Sequence, residues 1–516
     1  MNNYNNLLIL SIIISIFSFL LSGCNDVNVK VDELLCEYRK NPLGIDNINP
    51  RLSWKITDLK NIRGQKQTAY QILISSNKEN IERNVGDLWD SGKVNFDQNV
   101  NVLYAGKSLE SGMECFWKVK VWDVSGMESD WSEVEKFSIG LLNPSDWQGK
   151  WIYKDDQSKT DHNWYRKTFE LADTPEKAMV YVGSLGYHEL YVNGEKVTDW
   201  IMNPASSYLK KRVLYLTYDV TDRLKKGKNV IAIWHAAGWT RWKRIREYRN
   251  PPFAFIAQAN IECQDGNISI GTDETWKCNK SYSSYYGNWD ILDFGGEIVD
   301  DRLRDDNWCC ENYDDSSWKN ASIYKQKESD AEKDKNVRMK EDTQIANEEF
   351  SRNGGRITAQ LSSQILEPQV KYREIVPVKV SENSDGTYLI DMGENYTGTF
   401  EMNMFNGHEG DSVLFEISDR PEVRSNWKQK SKYIYGKSGK GKFENRFNLA
   451  GGRWITVYGL SYKPSIDDIR GYVITSDRKQ ISSFESSSEL LNKIYKINLD
   501  TYLANTIDGI LVDCPH

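Results

Sequence analysis

Five histidines, eight cysteines and 74 carboxylates are the side chains from which this chain of 516 residues could build a reaction. His162, His188, His235, His408 and His516 are scattered, without the H-E-x-x-H spacing that sets two imidazoles on one helix face for zinc. No G-x-S-x-G nucleophile turn occurs, because Gly183-Ser184-Leu185-Gly186 lacks the preceding glycine. Gly436-Lys437-Ser438 imitates the end of a phosphate loop, yet Ser431 stands where its first glycine is needed and the flanks read as strand. No C-x-x-C pair is present for a zinc knuckle or a redox pair. Spacing alone does not pick the two acids of a glycoside hydrolase out of so many carboxylates.

The aromatic content is the compositional signal. Trp, Tyr and Phe make up 12% of the chain, with 18 Trp and 28 Tyr against 12 Pro. Rings at this density favour strands and surfaces that stack on flat ligands, and sugar C–H faces are such a ligand. The net charge of −8 and the absence of a basic stripe argue against a nucleic-acid partner. An apolar share of 39% excludes both a disordered chain and a polytopic membrane protein.

Leu7 to Leu21 is apolar except for Ser11, Ser15 and Ser18, too short for a comfortable membrane span and the right size for a signal-peptide core. It ends in Leu21-Ser22-Gly23-Cys24, which resembles the bacterial lipoprotein signal and implies lipidation of Cys24, although Met1 to Asn6 carries no Lys or Arg. The expectation is an exported, membrane-anchored lipoprotein, periplasmic or at the cell surface. An ordinary secretion signal and an uncleaved anchor are the alternatives. Of the other cysteines, Cys263 and Cys278 flank a turn-rich segment and would pair if neighbouring strands carry them. Most of Cys36, Cys115, Cys309, Cys310 and Cys514 are expected as free thiols.

The elements that must position any site are β-strands. Residues 1–23 form the signal and 24–34 a tether. Residues 35–140 carry period-two stretches such as Phe116 to Trp122, with Trp117, Val119 and Val121 on one face and two lysines on the other, and read as a fibronectin-III-like domain. Residues 145–324 read as a jelly-roll with strands at Ala178 to Val182, Glu189 to Val192, Val213 to Tyr218 and Val230 to Trp234. Asn193-Gly194 makes its hairpin turn. Residues 325–359 are a charged linker or surface excursion, and 360–478 a third sandwich with strands at Tyr388 to Asp391, Ser412 to Ile417 and Trp454 to Tyr458. In 483–516 the period changes. Ser486 to Glu489 reads as a capping box, followed at helical spacing by Leu490, Leu491, Ile494, Tyr495, Tyr502 and Leu503. The class is mainly β, in tandem sandwiches with one C-terminal helix.

A family resemblance runs along nearly all of this. Leu35-Cys36-Glu37-Tyr38, Asn41 to Asp46, Pro50 to Trp54 and Gln67 to Ile72 resemble the N-terminus of bacterial α-L-rhamnosidases. Leu185 to Gly194 and Tyr218-Asp219-Val220-Thr221 resemble the family's jelly-roll. Asp391 to Asn395 with Gly398, and Arg453-Trp454 with Tyr458-Gly459, resemble its concanavalin-like sandwich. Asp508-Gly509 and Asp513-Cys514-Pro515 resemble the start of its active-site motif. The resemblance implies inverting hydrolysis of terminal α-L-rhamnose on an (α/α)6 barrel, by an acid and a base about 6.5–9.5 Å apart. It implies no cofactor for that hydrolysis. In the family an Arg-Glu pair carrying the general acid follows Asp-Cys-Pro, and the base lies far downstream, so the expectation is a truncated enzyme, inactive alone, with no catalytic residue among its 516 and a barrel that another polypeptide could supply. Asp513 matches a sugar-binding aspartate. His516 departs from the usual Gln. The alternative expectation is a cell-surface rhamnose- or glycan-binding protein acting through the jelly-roll. Relatives of that domain bind rhamnose with calcium, which points to Asn193, Asp199, Trp239 and Trp242. A terminal helix with nothing to cover its apolar stripe is expected to fray.

Overall fold

A computed structural model describes residues 27–207, 212–241, 253–288, 292–324 and 360–511. Cys24, Trp242, Asp513, Cys514 and His516, and the charged segment 325–359, lie outside them. The chain divides into two compact units, Met1–Ile139 and Gly140–His516.

The first unit is a sandwich of a three-stranded sheet (Val29–Cys36, Arg51–Asp58, Val102–Leu103) and a four-stranded one (Trp89–Asp90, Ala69–Ser75, Glu114–Trp122, Glu135–Ser138). The alternation in Glu114–Trp122 sends Trp117, Val119 and Val121 into the core with Trp54, Ile72 and Phe137. Both lysines were expected in solvent, but Lys118 is only 5% exposed. Its ammonium donates to the Asn84 side chain at 2.6 Å and lies 5.3 Å from the Trp131 ring, which roofs that face.

In the second unit a seven-stranded sheet, centred on Lys177–Ser184 between Phe255–Cys263 and Arg212–Asp219, faces a much larger sheet across an apolar core. The strand Gly227–Ala236 shows how the two layers are built. Ile231 and Ile233 point into the core shared with the seven-stranded sheet, while Val230, Ala232, Trp234 and Ala236 point into a second core beyond. Both faces are buried, so the sequence runs apolar without alternation. The turn after Tyr187–Val192 has Asn193 at φ 50° and Gly194 at φ 93°, as a two-residue hairpin requires.

The large sheet does not stop with the jelly-roll. Gly296–Asp300 pairs in parallel with Lys430–Ile434 through Ile298↔Lys432, Val299↔Tyr433 and Asp300↔Ile434. Fifteen strands thus form one ladder, which continues through Ser412–Ser418, Ala450–Tyr458, Tyr388–Met404, Ile469–Ser476 and Gln369–Ile375. The jelly-roll and the third sandwich, read from sequence as successive domains, share one sheet.

Two expectations need correction. Cys263 and Cys278 do not pair: Phe255–Cys263 belongs to the seven-stranded sheet and Lys277–Tyr286 to the fifteen-stranded one, and both thiols are free. The C-terminal helix spans Glu489–Asn505 and is capped by Ser488, whose hydroxyl accepts from the Leu491 amide at 3.4 Å. Ser486 instead accepts and donates around the Asn492 side chain, its amide 2.8 Å from the Asn492 oxygen. Glu489 is therefore the first helical residue, where its charge meets the positive end of the helix dipole. None of the helix's residues is buried, and Leu490 is 67% exposed.

Candidate carbohydrate-contact cleft

The hairpin around Asn193-Gly194 leads into a cleft of about 720 Å³, within the range of small-molecule sites. One wall is jelly-roll: Glu189 from Tyr187–Val192, Lys196 from the returning strand, then Asp199 and Trp200. The other comes from the sandwich half: Lys371, Glu444 and Arg446. The shared sheet holds the two walls in register.

Glu189 organises the wall between them. Its carboxylate takes Lys196 Nζ at 2.7 Å, Arg446 Nη1 at 2.7 Å and the Tyr191 hydroxyl at 2.7 Å, with its side chain 2% exposed. Burial works to raise this carboxyl, but Arg446 and Lys196 outweigh it and hold it at about 2. Behind it Glu297 has no exposed surface. It accepts the backbone amides of Arg446, at 3.0 Å, and Phe447, and burial dominates there, pushing its carboxyl up to about 8. At neutral pH the wall thus holds one ionised and one protonated carboxyl around one guanidinium. Neither is presented to a ligand, because Glu189 is spent on its partners and Glu297 is enclosed.

What the cleft offers a ligand is different. The second amine proton contact of Lys196, 3.0 Å to the Trp200 carbonyl, fixes the loop that half-exposes the Trp200 indole, tilted on Tyr218 at 5.3 Å. Asp199 is exposed with a carboxylate that no protein group engages. Lys371 is tied to Glu444 at 2.7 Å. An aromatic face beside a free carboxylate and paired charges is binding chemistry for a polyhydroxylated ligand.

Of the residues nominated from sequence, only Asp199 lines this cleft. Asn193 accepts from the Val230 amide at 2.9 Å and donates to the Arg223 carbonyl and the Asn229 side chain, so its side chain is spent on the turn. Trp239, 5% exposed, packs in the core near Tyr187. With Asn193 committed and Asp199 alone, these two do not make a calcium cage, and among the described residues no three His, Cys, Asp or Glu side chains are grouped to hold a metal. Glu189 was legible as part of the Leu185 to Gly194 stretch. Trp200, Lys371 and Arg446 carry no local signal and are brought in by the sheet. The Asp508-Gly509 turn sits at φ 55° and 69°, and Asp508 accepts the Ser206 amide at 2.9 Å and the Gln369 side chain at 2.6 Å. Burial raises its carboxyl to about 6. It ties the C-terminal hairpin to both halves of the unit.

Comparison with known proteins places this geometry. Residues 31–143 match the Rha78A-like N-terminal immunoglobulin domain, 173–342 the alpha-L-rhamnosidase N-terminal domain, and 381–475 the bacterial alpha-L-rhamnosidase concanavalin-like domain. An alpha-L-rhamnosidase of Formosa agariphila is 29% identical over 99% of this chain and 55% of its own length. One of Alteromonas sp. is 26% identical over 92% of this chain and 50% of its own. The structure of an alpha-L-rhamnosidase from Dictyoglumus thermophilum superposes with a TM-score of 0.82 at 30% identity, over 95% of this chain and 54% of that one. The Streptomyces avermitilis enzyme crystallised with L-rhamnose shares the fold, with a TM-score of 0.80 at 20% identity over 94% of this chain and 61% of that one. The chain spans about half the length of the relatives it matches. Three domain matches in order and a shared architecture carry one conclusion: the chain belongs to the bacterial α-L-rhamnosidase family.

Proposed function

We propose that these 516 residues supply the glycan-holding β-domains of an α-L-rhamnosidase, working on a rhamnose-containing glycan, and that they do not release rhamnose by themselves. The observation that carries the reading is the cleft, where Trp200 and the unengaged Asp199 stand on a wall whose shifted carboxyls are both withheld from a ligand. Such a site holds a sugar and lacks a presented acid and base. A catalytic barrel, as a further polypeptide or further chain, would then act on the glycan held here. The Cys24 signal supports export and anchoring of this assembly to a membrane.

Release of the aryl group from an aryl α-L-rhamnoside tests the catalytic half of the proposal, and turnover by the purified 516-residue chain would refute it. Calorimetric titration with L-rhamnose tests the binding half. Heat that saturates in the millimolar range and is lost in Trp200→Ala supports it, and no heat in the parent chain counts against it.

A further inference from the structure

The Asp391 to Asn395 stretch is not used by the cleft. It lies on the long strand Tyr388–Met404, where the pairing with Ala450–Tyr458 shifts register between Asp391 and Tyr396. The extra residues form a bulge with Gly393 at φ 84°. Bulges re-aim side chains, and this one turns Glu394 and Asn395 over a recess of about 460 Å³ between the sandwich and the C-terminal helix.

The opposite rim is Trp427, 42% exposed. Trp427 and Lys428 both sit in the left-handed region, at φ 54° and 56°, a conformation that costs two consecutive non-glycine residues energy. The loop is held there from both sides. The Trp427 carbonyl accepts from the Phe294 amide at 2.9 Å, and the Gln429 side chain exchanges hydrogen bonds with Gly451 at 2.7 and 2.9 Å. A large indole is thus presented to solvent on a fixed, strained backbone.

The polar groups around it fall into two classes. The charges are already matched: Glu394 is held by the Arg373 guanidinium and Asp500 by Lys496 at 2.6 Å. The side-chain amides of Asn395 and Asn505 have no protein partner, and each offers a donor pair and an acceptor. Ile497 and Ala504 supply an apolar patch on the helix wall.

We propose that this recess is a second carbohydrate site, separate from the cleft, which takes a neutral pyranose: the ring face stacks on Trp427, hydroxyls meet the amides of Asn395 and Asn505, and an apolar substituent such as a 6-methyl group rests on Ile497 and Ala504. A sugar acid is disfavoured, because every cation at the rim is committed to a carboxylate.

The test uses the full chain labelled with fluorotryptophan, with L-rhamnose and D-galacturonate as probes. Trp427→Phe identifies the fluorine resonance of this recess and Trp200→Phe that of the cleft. The expected result is a saturable movement of the Trp427 resonance with L-rhamnose and a much smaller one with D-galacturonate. Replacing Asn395→Ala and Asn505→Ala together should weaken the affinity read at Trp427 roughly tenfold or more while leaving the unfolding midpoint unchanged. A Trp427 resonance that stays still, that moves without saturating, or that keeps its affinity in the double variant overturns the proposal. Movement confined to the Trp200 resonance overturns it too, while supporting the cleft.

Discussion

The enclosed carboxyl of Glu297 gives a stability signature that can be worked out in advance. Its folded value of about 8 lies above the ordinary 4.5, so the folded chain keeps a proton there that the unfolded chain releases. The stabilising contribution is complete below about pH 4.5 and is lost as pH rises through about 8, with a slope of about 1.4 kcal/mol per pH unit between. Two buried imidazoles work the other way. Burial lowers His188 to about 3 and His235 to about 4, so their effect is a rise in stability that ends near pH 6.5. Asp508, raised to about 6, has spent its effect by then. Burial raises the Cys278 and Cys309 thiols to about 11 and about 12, so they act only near and above the ordinary thiol value of 9. From about pH 6.5 to about pH 8 the decline therefore belongs to Glu297, and comes to about 2 kcal/mol. The perturbation is Glu297→Gln. Its single carbonyl oxygen can serve only one of the Arg446 and Phe447 amides, and setting an NH2 against the other costs about 1–3 kcal/mol. That offset does not vary with pH, so it leaves the slope as a clean readout. Urea unfolding of both proteins at about pH 6.5 and about pH 8 should show a loss of about 2 kcal/mol in the parent and almost none in the variant. Equal losses in the two, or a flat parent, would refute the assignment of a buried, protonated Glu297.

Other outcomes follow from single features. Asn193→Ala forces an alanine into φ 50° and leaves the Val230 amide without its acceptor, which should lower the stability of the second unit by about 3 kcal/mol in urea unfolding, with Asn193→Gly losing less. Amides of Glu489–Asn505 should exchange hydrogen orders of magnitude faster than those of Gly227–Ala236, since no helix residue is buried; equal protection would contradict the exposure. Thiol titration of the denatured, unreduced chain should find both Cys263 and Cys278 reactive, and a protected pair would contradict their placement in separate sheets.

What the sequence disclosed and what it hid divide along physical lines. Local signals read well. The Asn193-Gly194 hairpin, the alternating strand Glu114–Trp122 and the helix after Ser488 each depend on residues within a few positions of one another. The cap was misplaced by two residues because three consecutive serines offer the same hydroxyl, and only the backbone of Ser488 selects among them. Lys118 read as solvent-facing because period-two patterning cannot show that Trp131 folds back over that face. The cleft was the least legible part. Glu189 and Arg446 are 257 positions apart, and neither has a neighbour in sequence that announces the other. Asn193 and Trp239 were nominated for being polar or aromatic near a hairpin, yet one is consumed by backbone amides and the other by the core.

The parallel pairing of Gly296–Asp300 with Lys430–Ile434 also bears on how this chain transmits load and how its gene can be divided. A force drawn along the chain between the jelly-roll and the sandwich would meet a row of hydrogen bonds loaded in shear, where a flexible tether would simply extend. The same row makes any cut between residues 324 and 360 a cut through one sheet. Either fragment would carry a bare strand edge, open to pairing with other chains. Recombination in this family is therefore expected to exchange the two sandwiches together, and to treat only the first unit as a detachable module.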